Sequence, residues 1–211
     1  MCSEIFFTKK EYEYKELMEK INQCFLLNEE LPNKVFKKPY NKFLCEEFDL
    51  IRDDRFWENV KTLSNLSNDN NVIFSVLNPS PKSYYYHYFG YYSIAKLSVD
   101  IKNEEFSNLI EYAPENNEAD SIFFNSNIII CIPLSKKWAI YADRDFEICI
   151  LAFDDGYEEE VKSLLPRWLP MEETIDTYMY SLFMVMPEFL EHFNMSKEQI
   201  RNKFMENYGN L

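Results

Sequence analysis

The most continuous run of hydrophobic positions lies between residues 121 and 153. It predicts three strands, at residues 122–124 running on into 128–134, at 138–142 and at 147–153. Residues 128–132 are apolar at every position, which is typical of a strand covered on both faces. Polar turn sequences separate the strands and no helical segment intervenes. We therefore expect an antiparallel meander and no βαβ crossover here.

Apolar positions recur at helical spacing before this sheet. They predict a first helix over residues 9–26, opened by a capping box that begins at Thr8. A short helix is expected at residues 43–51. The next helix should begin at Asp53 or Asp54, because an aspartate side chain accepts hydrogen bonds from the first helical turn.

Helical spacing returns after the sheet. Acidic residues from Glu158 onward suit a helix start, Pro170 opens a second helix and Ser196 caps a last one. Pro187 should kink or restart the second helix. The chain thus divides into a helical part (1–70), a sheet (72–153) and a second helical part (157–209). This segregation predicts one α+β domain spanning residues 1–211, with helices at both chain ends packed on a mostly antiparallel sheet.

A cluster of aromatic residues follows a short predicted strand at residues 72–77. Eight of the nine residues from 84 to 92 carry rings, and aromatic residues favour strands. On a strand, alternate rings would point to opposite faces, so that one face packs in the core. The other face, with Tyr86 and Tyr88, would be open to a protein partner. Core packing alone and a small-molecule pocket are the competing interpretations.

The chain has a formal net charge of −14, and residues 100–160 hold fifteen acidic side chains against four basic ones. Such a field repels nucleic acid and anionic membranes and attracts basic proteins. We therefore expect a basic protein as partner, with no nucleic-acid or membrane partner. The competing interpretation is that acidity only keeps the protein soluble. The sequence sets no oligomeric state.

Several absences narrow the function further. No apolar run approaches the ~20 residues of a membrane span, and the first residues lack a signal-peptide pattern. The five cysteines are odd in number and scattered, which favours a reducing, cytoplasmic compartment. With only three glycines, the chain has no clustered glycines to cradle phosphates, as a P-loop or dinucleotide site requires.

Four charges of alternating sign mark the predicted turn between the last two strands: Asp143, Arg144, Asp145 and Glu147. Two aromatic residues, Trp138 and Tyr141, precede them in the sequence. A guanidinium at this turn is suited to binding a carboxylate or phosphate. The carboxylates are suited to acid–base chemistry or metal binding. In the structural interpretation, Arg144 pairs with a neighbouring acid and fixes the turn.

Neither His87 nor His192 has a cysteine or carboxylate at zinc-ligand spacing. We therefore expect no metal, no cofactor and no catalytic residue that the sequence identifies. A Cys–His nucleophile pair stays open, because such partners meet only in the folded chain.

Residues 137–148 read Lys-Trp-Ala-Ile-Tyr-Ala-Asp-Arg-Asp-Phe-Glu-Ile. This run resembles a hairpin with Trp, an aromatic residue, Asp-Arg and Glu in small uncharacterised bacterial proteins. Some of those proteins resemble immunity proteins, which neutralise secreted toxins. The resemblance covers about 15 residues and implies no catalytic residue.

Three functions follow from these patterns. The first is a non-catalytic intracellular binding protein, of which an immunity-type inhibitor of a basic toxin is one form. The second is an enzyme or small-ligand binder with a site around Arg144, which requires a concave pocket that also holds Tyr141 and Asp145 or Glu147. The third is a purely structural subunit.

Overall fold

The computed structural model describes residues 6–114, 120–179 and 193–209. Six strands form one antiparallel sheet in the order β1-β6-β5-β4-β2-β3. Their bounds are β1 (Lys42–Glu47), β2 (Asn71–Asn78), β3 (Ile94–Ser98), β4 (Ile128–Pro133), β5 (Trp138–Asp143) and β6 (Ile148–Phe153). The predicted α+β fold and the meander formed by β4, β5 and β6 are confirmed.

Helices precede, interrupt and follow the strands. They are α1 (Glu11–Cys24), α2 (Asp54–Ser67), α3 (His87–Phe89), α4 (Asn103–Ile110), α5 (Glu158–Leu164), α6 (Met171–Thr177) and α7 (Lys197–Tyr208). A π-helix, Pro81–Tyr86, runs directly into α3, and 3₁₀ turns occupy Phe48–Arg52 and Asp155–Tyr157. The helices predicted to begin near residues 158, 170 and 196 are confirmed. Pro187 lies outside the described residues.

The helix starts follow local hydrogen bonding. Asp53 caps α2 by accepting a hydrogen bond from the Arg55 N–H at 2.8 Å, and Ser196 caps α7 as predicted. The capping box expected at Thr8 is wrong, because α1 begins two residues later. The Thr8 hydroxyl instead donates to the Glu13 carboxylate at 2.5 Å.

Both faces of the sheet are covered. Successive residues of β4 point to opposite sides, so Ile129 and Cys131 join one hydrophobic cluster while Ile130 and Ile132 join the other. The first cluster packs on α2, α4 and α5, and the second packs on α1, α6 and α7. Every residue of β4, β5 and β6 is buried, as expected for central strands with two covers.

The predicted helix at residues 43–51 is wrong for its first half. That segment is β1, an edge strand paired with β6, and only its continuation is a 3₁₀ turn. Leu44 packs in the first cluster and Cys45 in the second, which is the alternation of a strand between two layers. Cys45 also exchanges two backbone hydrogen bonds of 2.7 Å with Leu169, which covers the outer edge of β1.

One end of the sheet collects the segments that the sequence singled out. The strand register aligns Glu47, Ile148, Asp143, Ile128 and Asn78 across five neighbouring strands. The connections that leave this end are the 3₁₀ turn after β1, the segment of aromatic residues after β2 (residues 84–92, the ring-rich segment), the turn before β4 and the β5–β6 hairpin tip. We call it the Arg144 end of the sheet.

Candidate functional site

The ring-rich segment is helical as far as Phe89, so the predicted strand at residues 84–92 is wrong. Pro81 occupies the first helical position, and the Ser80 hydroxyl accepts a hydrogen bond from the Ser83 N–H at 3.2 Å. Gly90 ends the helix with φ at 73°, a left-handed conformation that glycine adopts without strain. These start and stop signals outweigh the preference of aromatic residues for strands.

Helical spacing, rather than alternation, decides which rings are exposed. Tyr86 and Tyr88 are 42% and 66% exposed, whereas Tyr85 is fully buried. Tyr92 lies between the rings of Tyr86 and Tyr14, at centroid distances of 4.3 and 4.2 Å and interplanar angles of 14° and 12°. The two tyrosines predicted to contact a partner therefore both face solvent, and Tyr86 is held in a three-ring stack.

Residues 121–127 form a turn, so the strand predicted at residues 122–124 is wrong. The Ser126 hydroxyl donates to the carbonyl of Ile122, which closes the turn. Asn125 joins it to the ring-rich segment: its side-chain amide donates to the Tyr84 hydroxyl at 2.8 Å, and its carbonyl accepts from the Tyr85 hydroxyl at 3.0 Å. The ring-rich segment is thus anchored to this turn.

The same turn binds Arg144. Its Nε donates to the Ser126 carbonyl at 2.8 Å, and its Nη2 donates to the Phe123 carbonyl. The guanidinium carbon lies 4.6 Å from the ring centroid of Phe48 and 4.9 Å from that of Phe123. The expected ion pair with a neighbouring acid is wrong, because no ion pair in the described residues includes Arg144. Arg144 fixes the hairpin through carbonyl groups and rings instead.

Asp143 ends β5 and is only 4% exposed. Its Oδ1 accepts hydrogen bonds from the N–H groups of Asp145, at 2.9 Å, and Phe146, at 3.2 Å. Burial raises the pKa of this carboxyl to about 7, and the two N–H groups only partly oppose the rise. Asp143 therefore shapes the hairpin turn from inside the protein.

Two further predicted site residues are buried. Trp138 is 3% exposed, and its Nε1 donates to the Ser67 hydroxyl at 3.2 Å. Tyr141 is 2% exposed and packs in the second cluster beside Phe25, on the sheet face opposite Phe48 and Arg144. Trp138, Tyr141 and Asp143 are therefore not available to a partner on the surface that the structure presents.

A notch of about 300 Å³ lies beside Arg144 at this end of the sheet. It is lined by Glu47, Phe48, Asp49, Arg144, Glu147, Thr177 and Tyr178. Asp49, Asp145 and Glu147 are exposed and Glu47 is half-buried. Within the described residues, none of these four carboxylates belongs to an ion pair. The Arg144 end thus presents carboxylates that form no ion pair among the described residues, while Asp49 and Asp145 interact with Arg144 at longer range.

Sequence reasoning missed Phe48 and Phe124. Phe124 is 55% exposed, and the Arg52 guanidinium lies 5.4 Å from its ring centroid. Phe124 looked like part of a buried strand, although the Asn-Ser-Asn run that follows it is typical of a turn. Phe48 was missed because β1 was not recognised, and Phe48 directly follows that strand.

Other chemistry is limited in the part of the chain that the structure describes. That part has no group of three or more His, Cys, Asp or Glu side chains placed to hold a metal ion. Its four cysteines are buried free thiols, and burial raises the pKa of the Cys45 thiol to about 12. His87 is exposed, and His192 lies outside the described residues. None of the described helices combines the length and apolar content needed to cross a membrane.

Comparison of the chain with protein-family models, with curated proteins and with solved structures found no match.

Proposed function

We propose that this protein is a non-catalytic, cytoplasmic binding protein for a basic protein partner, and that the Arg144 end of the sheet is its contact surface. The observation that carries the proposal is the exposure of Asp49, Asp145 and Glu147 without an ion pair in the described chain. Arg144, the basic residue of the hairpin tip, is engaged by carbonyl groups and rings. A surface rich in lysine and arginine complements this charge and is steered towards it.

Tyr86 and Tyr88 extend the proposed surface. The turn at residues 121–127 forms hydrogen bonds both with the ring-rich segment and with Arg144. The ring-rich segment and the carboxylates therefore lie at the same end of the sheet. Tyrosine is enriched among the residues that dominate binding energy at protein interfaces, because it offers a large rigid ring and a hydroxyl.

The resemblance of residues 137–148 to immunity-type proteins extends the proposal to the partner's role. An immunity-type inhibitor would bind a basic toxin and cover the surface that the toxin needs. Charge steering suits this role, because it speeds the encounter between oppositely charged proteins.

The test uses two triple variants with the same change in charge. The first carries Asp49→Asn, Asp145→Asn and Glu147→Gln, and the control carries Glu159→Gln, Glu160→Gln and Glu206→Gln, which are also exposed. We expect the wild type and the control to retain a basic protein at low salt, and the first variant to lose it. Equal retention by both variants, or retention that ignores salt, would contradict the proposal.

A small-ligand or enzymatic site around Arg144 is the second candidate, favoured by the notch that Arg144 and Glu147 line. Tyr141 is not part of this notch, and two Arg144 donors already bond to carbonyl groups. Calorimetric titration with inorganic phosphate and with glutarate tests this candidate. Saturable heat that Glu147→Gln or Arg144→Met changes would support it, and the absence of heat would leave only the basic-partner proposal.

A further inference from the structure

An open groove of about 870 Å³ lies beside the three-ring stack. It is lined by Tyr14, Ser80, Lys82, Ser83, Tyr86, His87 and Tyr88. Each of these side chains carries a hydrogen-bond donor, and none is acidic. In a chain with a net charge of −14, this lining suits a ligand that is rich in acceptors.

The rings that line the groove are held in place. Tyr86 and Tyr14 stack on opposite faces of Tyr92, which is 2% exposed. Tyr88 meets Tyr84 at a centroid distance of 5.3 Å and His87 at 4.8 Å, both edge to face. Rings fixed in this way lose little conformational freedom when a ligand binds, so the groove is preorganised.

The donors of the groove are largely unused inside the protein. Within the described residues, the hydroxyls of Tyr14, Tyr86 and Tyr88 make no hydrogen bond. Lys82 lies 3.9 Å from the Glu11 carboxylate, and both side chains are more than half exposed, so this pair is weak. The donors are therefore available to carbonyl oxygens of a bound chain.

We propose that this groove binds a proline-rich peptide segment in the polyproline II conformation. Proline has no N–H group, so such a segment presents carbonyl acceptors and apolar ring faces. Its turn repeats every three residues, or about 9 Å. Tyr92 separates the two outer rings of the stack, Tyr86 and Tyr14, with centroid distances of 4.3 and 4.2 Å to them. Taken together, these two distances are close to one such repeat. Aromatic-lined grooves are a recurring means of recognising this helix.

The charge of the groove favours this occupant over others. A single lysine without an arginine is a poor site for an anion, which needs several converging donors of positive charge. A second copy of this chain would bring another −14 charges to the contact. A proline-rich segment needs donors and rings, both of which the groove supplies.

The inference goes beyond the basic-partner proposal, and the two share Tyr86 and Tyr88 but differ in the side chains that carry them. That proposal depends on Asp49, Asp145 and Glu147, none of which lines the groove. The triple variant that neutralises these acids should therefore bind a proline peptide as well as the wild type does.

The experiment is a titration of the full chain with an acetylated and amidated ten-residue proline peptide, followed by amide chemical shifts in residues 80–92. We expect saturable shifts with the wild type, and none with a ten-residue peptide of alternating glycine and serine. Tyr86→Ala and Tyr88→Ala should each weaken binding about tenfold. Tyr12→Ala is the matched control, because Tyr12 is 65% exposed and does not line the groove.

Circular dichroism confirms that each variant folds, and Tyr88→Ala keeps the test valid if loss of Tyr86 disturbs the stack. No saturable shift with the wild type overturns the inference. Equal binding of the glycine–serine peptide, or equal loss with Tyr12→Ala, also overturns it. Binding of maltohexaose in place of the proline peptide would assign the groove to a sugar instead.

Discussion

The β5–β6 hairpin and the ring-rich segment use similar residue types in opposite ways. At the hairpin, the conspicuous side chains point inward: Trp138 and Asp143 are buried, and Arg144 binds carbonyl groups. In the ring-rich segment, Tyr86 and Tyr88 are exposed although tyrosine is suited to a core. The residue types that stand out in the sequence are therefore buried or engaged in the first region and partly exposed in the second.

The difference originates in backbone geometry. A hairpin between two central strands has both faces covered, so the aromatic residues of its strands enter the core. A short helix at the surface has only one covered side, so part of its aromatic sequence must face solvent. We therefore expect substitutions of buried hairpin residues to lower the free energy of unfolding strongly, and substitutions of the exposed rings to change it little.

The largest expected effect is at Trp138. Trp138→Ala removes a buried indole and its hydrogen bond to Ser67, so we expect the free energy of unfolding to fall by about 3–5 kcal/mol. Tyr88→Ala, the matched change in the ring-rich segment, should alter it by no more than about 0.5 kcal/mol. Urea unfolding monitored by circular dichroism measures both. Similar losses for the two variants would break the comparison.

The effect at Asp143 depends on pH. Its folded pKa of about 7 lies above the ordinary value of 3.8, so the folded state holds the proton more tightly between these values. The stabilisation that the protonated Asp143 carboxyl contributes is fully present below about pH 4 and is lost as the pH rises through about 7. The loss amounts to at most about 4 kcal/mol, since one pKa unit corresponds to about 1.4 kcal/mol.

Asp143→Asn keeps an oxygen that can accept from the Asp145 and Phe146 N–H groups and removes the charge. We expect the variant to be more stable than the wild type at pH 8 and the gain to disappear near pH 4. Unfolding curves at pH 4, 6 and 8 give the difference. A gain that does not vary with pH would show that Asp143 titrates normally in the folded protein.

The effect at Arg144 should be smaller. Arg144→Met keeps an unbranched chain against Phe48 but removes the donors to the Ser126 and Phe123 carbonyls. We expect a loss of about 1.5–3 kcal/mol, the range for hydrogen bonds to a charged group. Arg52→Met is the control, because Arg52 is exposed and its ion pair with Glu111 is 3.9 Å long. Equal losses would mean that Arg144 does not fix the hairpin.

Sequence patterns predicted the elements whose signals are local. The meander follows from apolar runs and polar turns, and α7 follows from Ser196 and Gln199, which form its capping box. Strand β1 was missed because Glu46, a buried acid that accepts a hydrogen bond from Tyr178, breaks the apolar pattern. The helical start at Ser80 and Pro81 was a local signal that the aromatic content obscured.

The candidate site was less predictable, because its contacts join distant segments. Arg144 was expected to pair with acids beside it in sequence, yet its partners lie about twenty residues earlier, in the turn that contains Ser126. Exposure of Phe124 and burial of Tyr141 depend on which face of the sheet the chain covers. Neither can be obtained from residue type or spacing alone.

The central claim is that Tyr86 and Tyr88 of the ring-rich segment face outward while the hairpin's aromatic residues face inward. Nitration by tetranitromethane, with peptide mapping by mass spectrometry, tests it directly on the native protein. We predict rapid modification of Tyr88, slower modification of Tyr86, and none of Tyr85 or Tyr141 until the protein unfolds. Modification of Tyr141 as fast as that of Tyr88 would contradict the account.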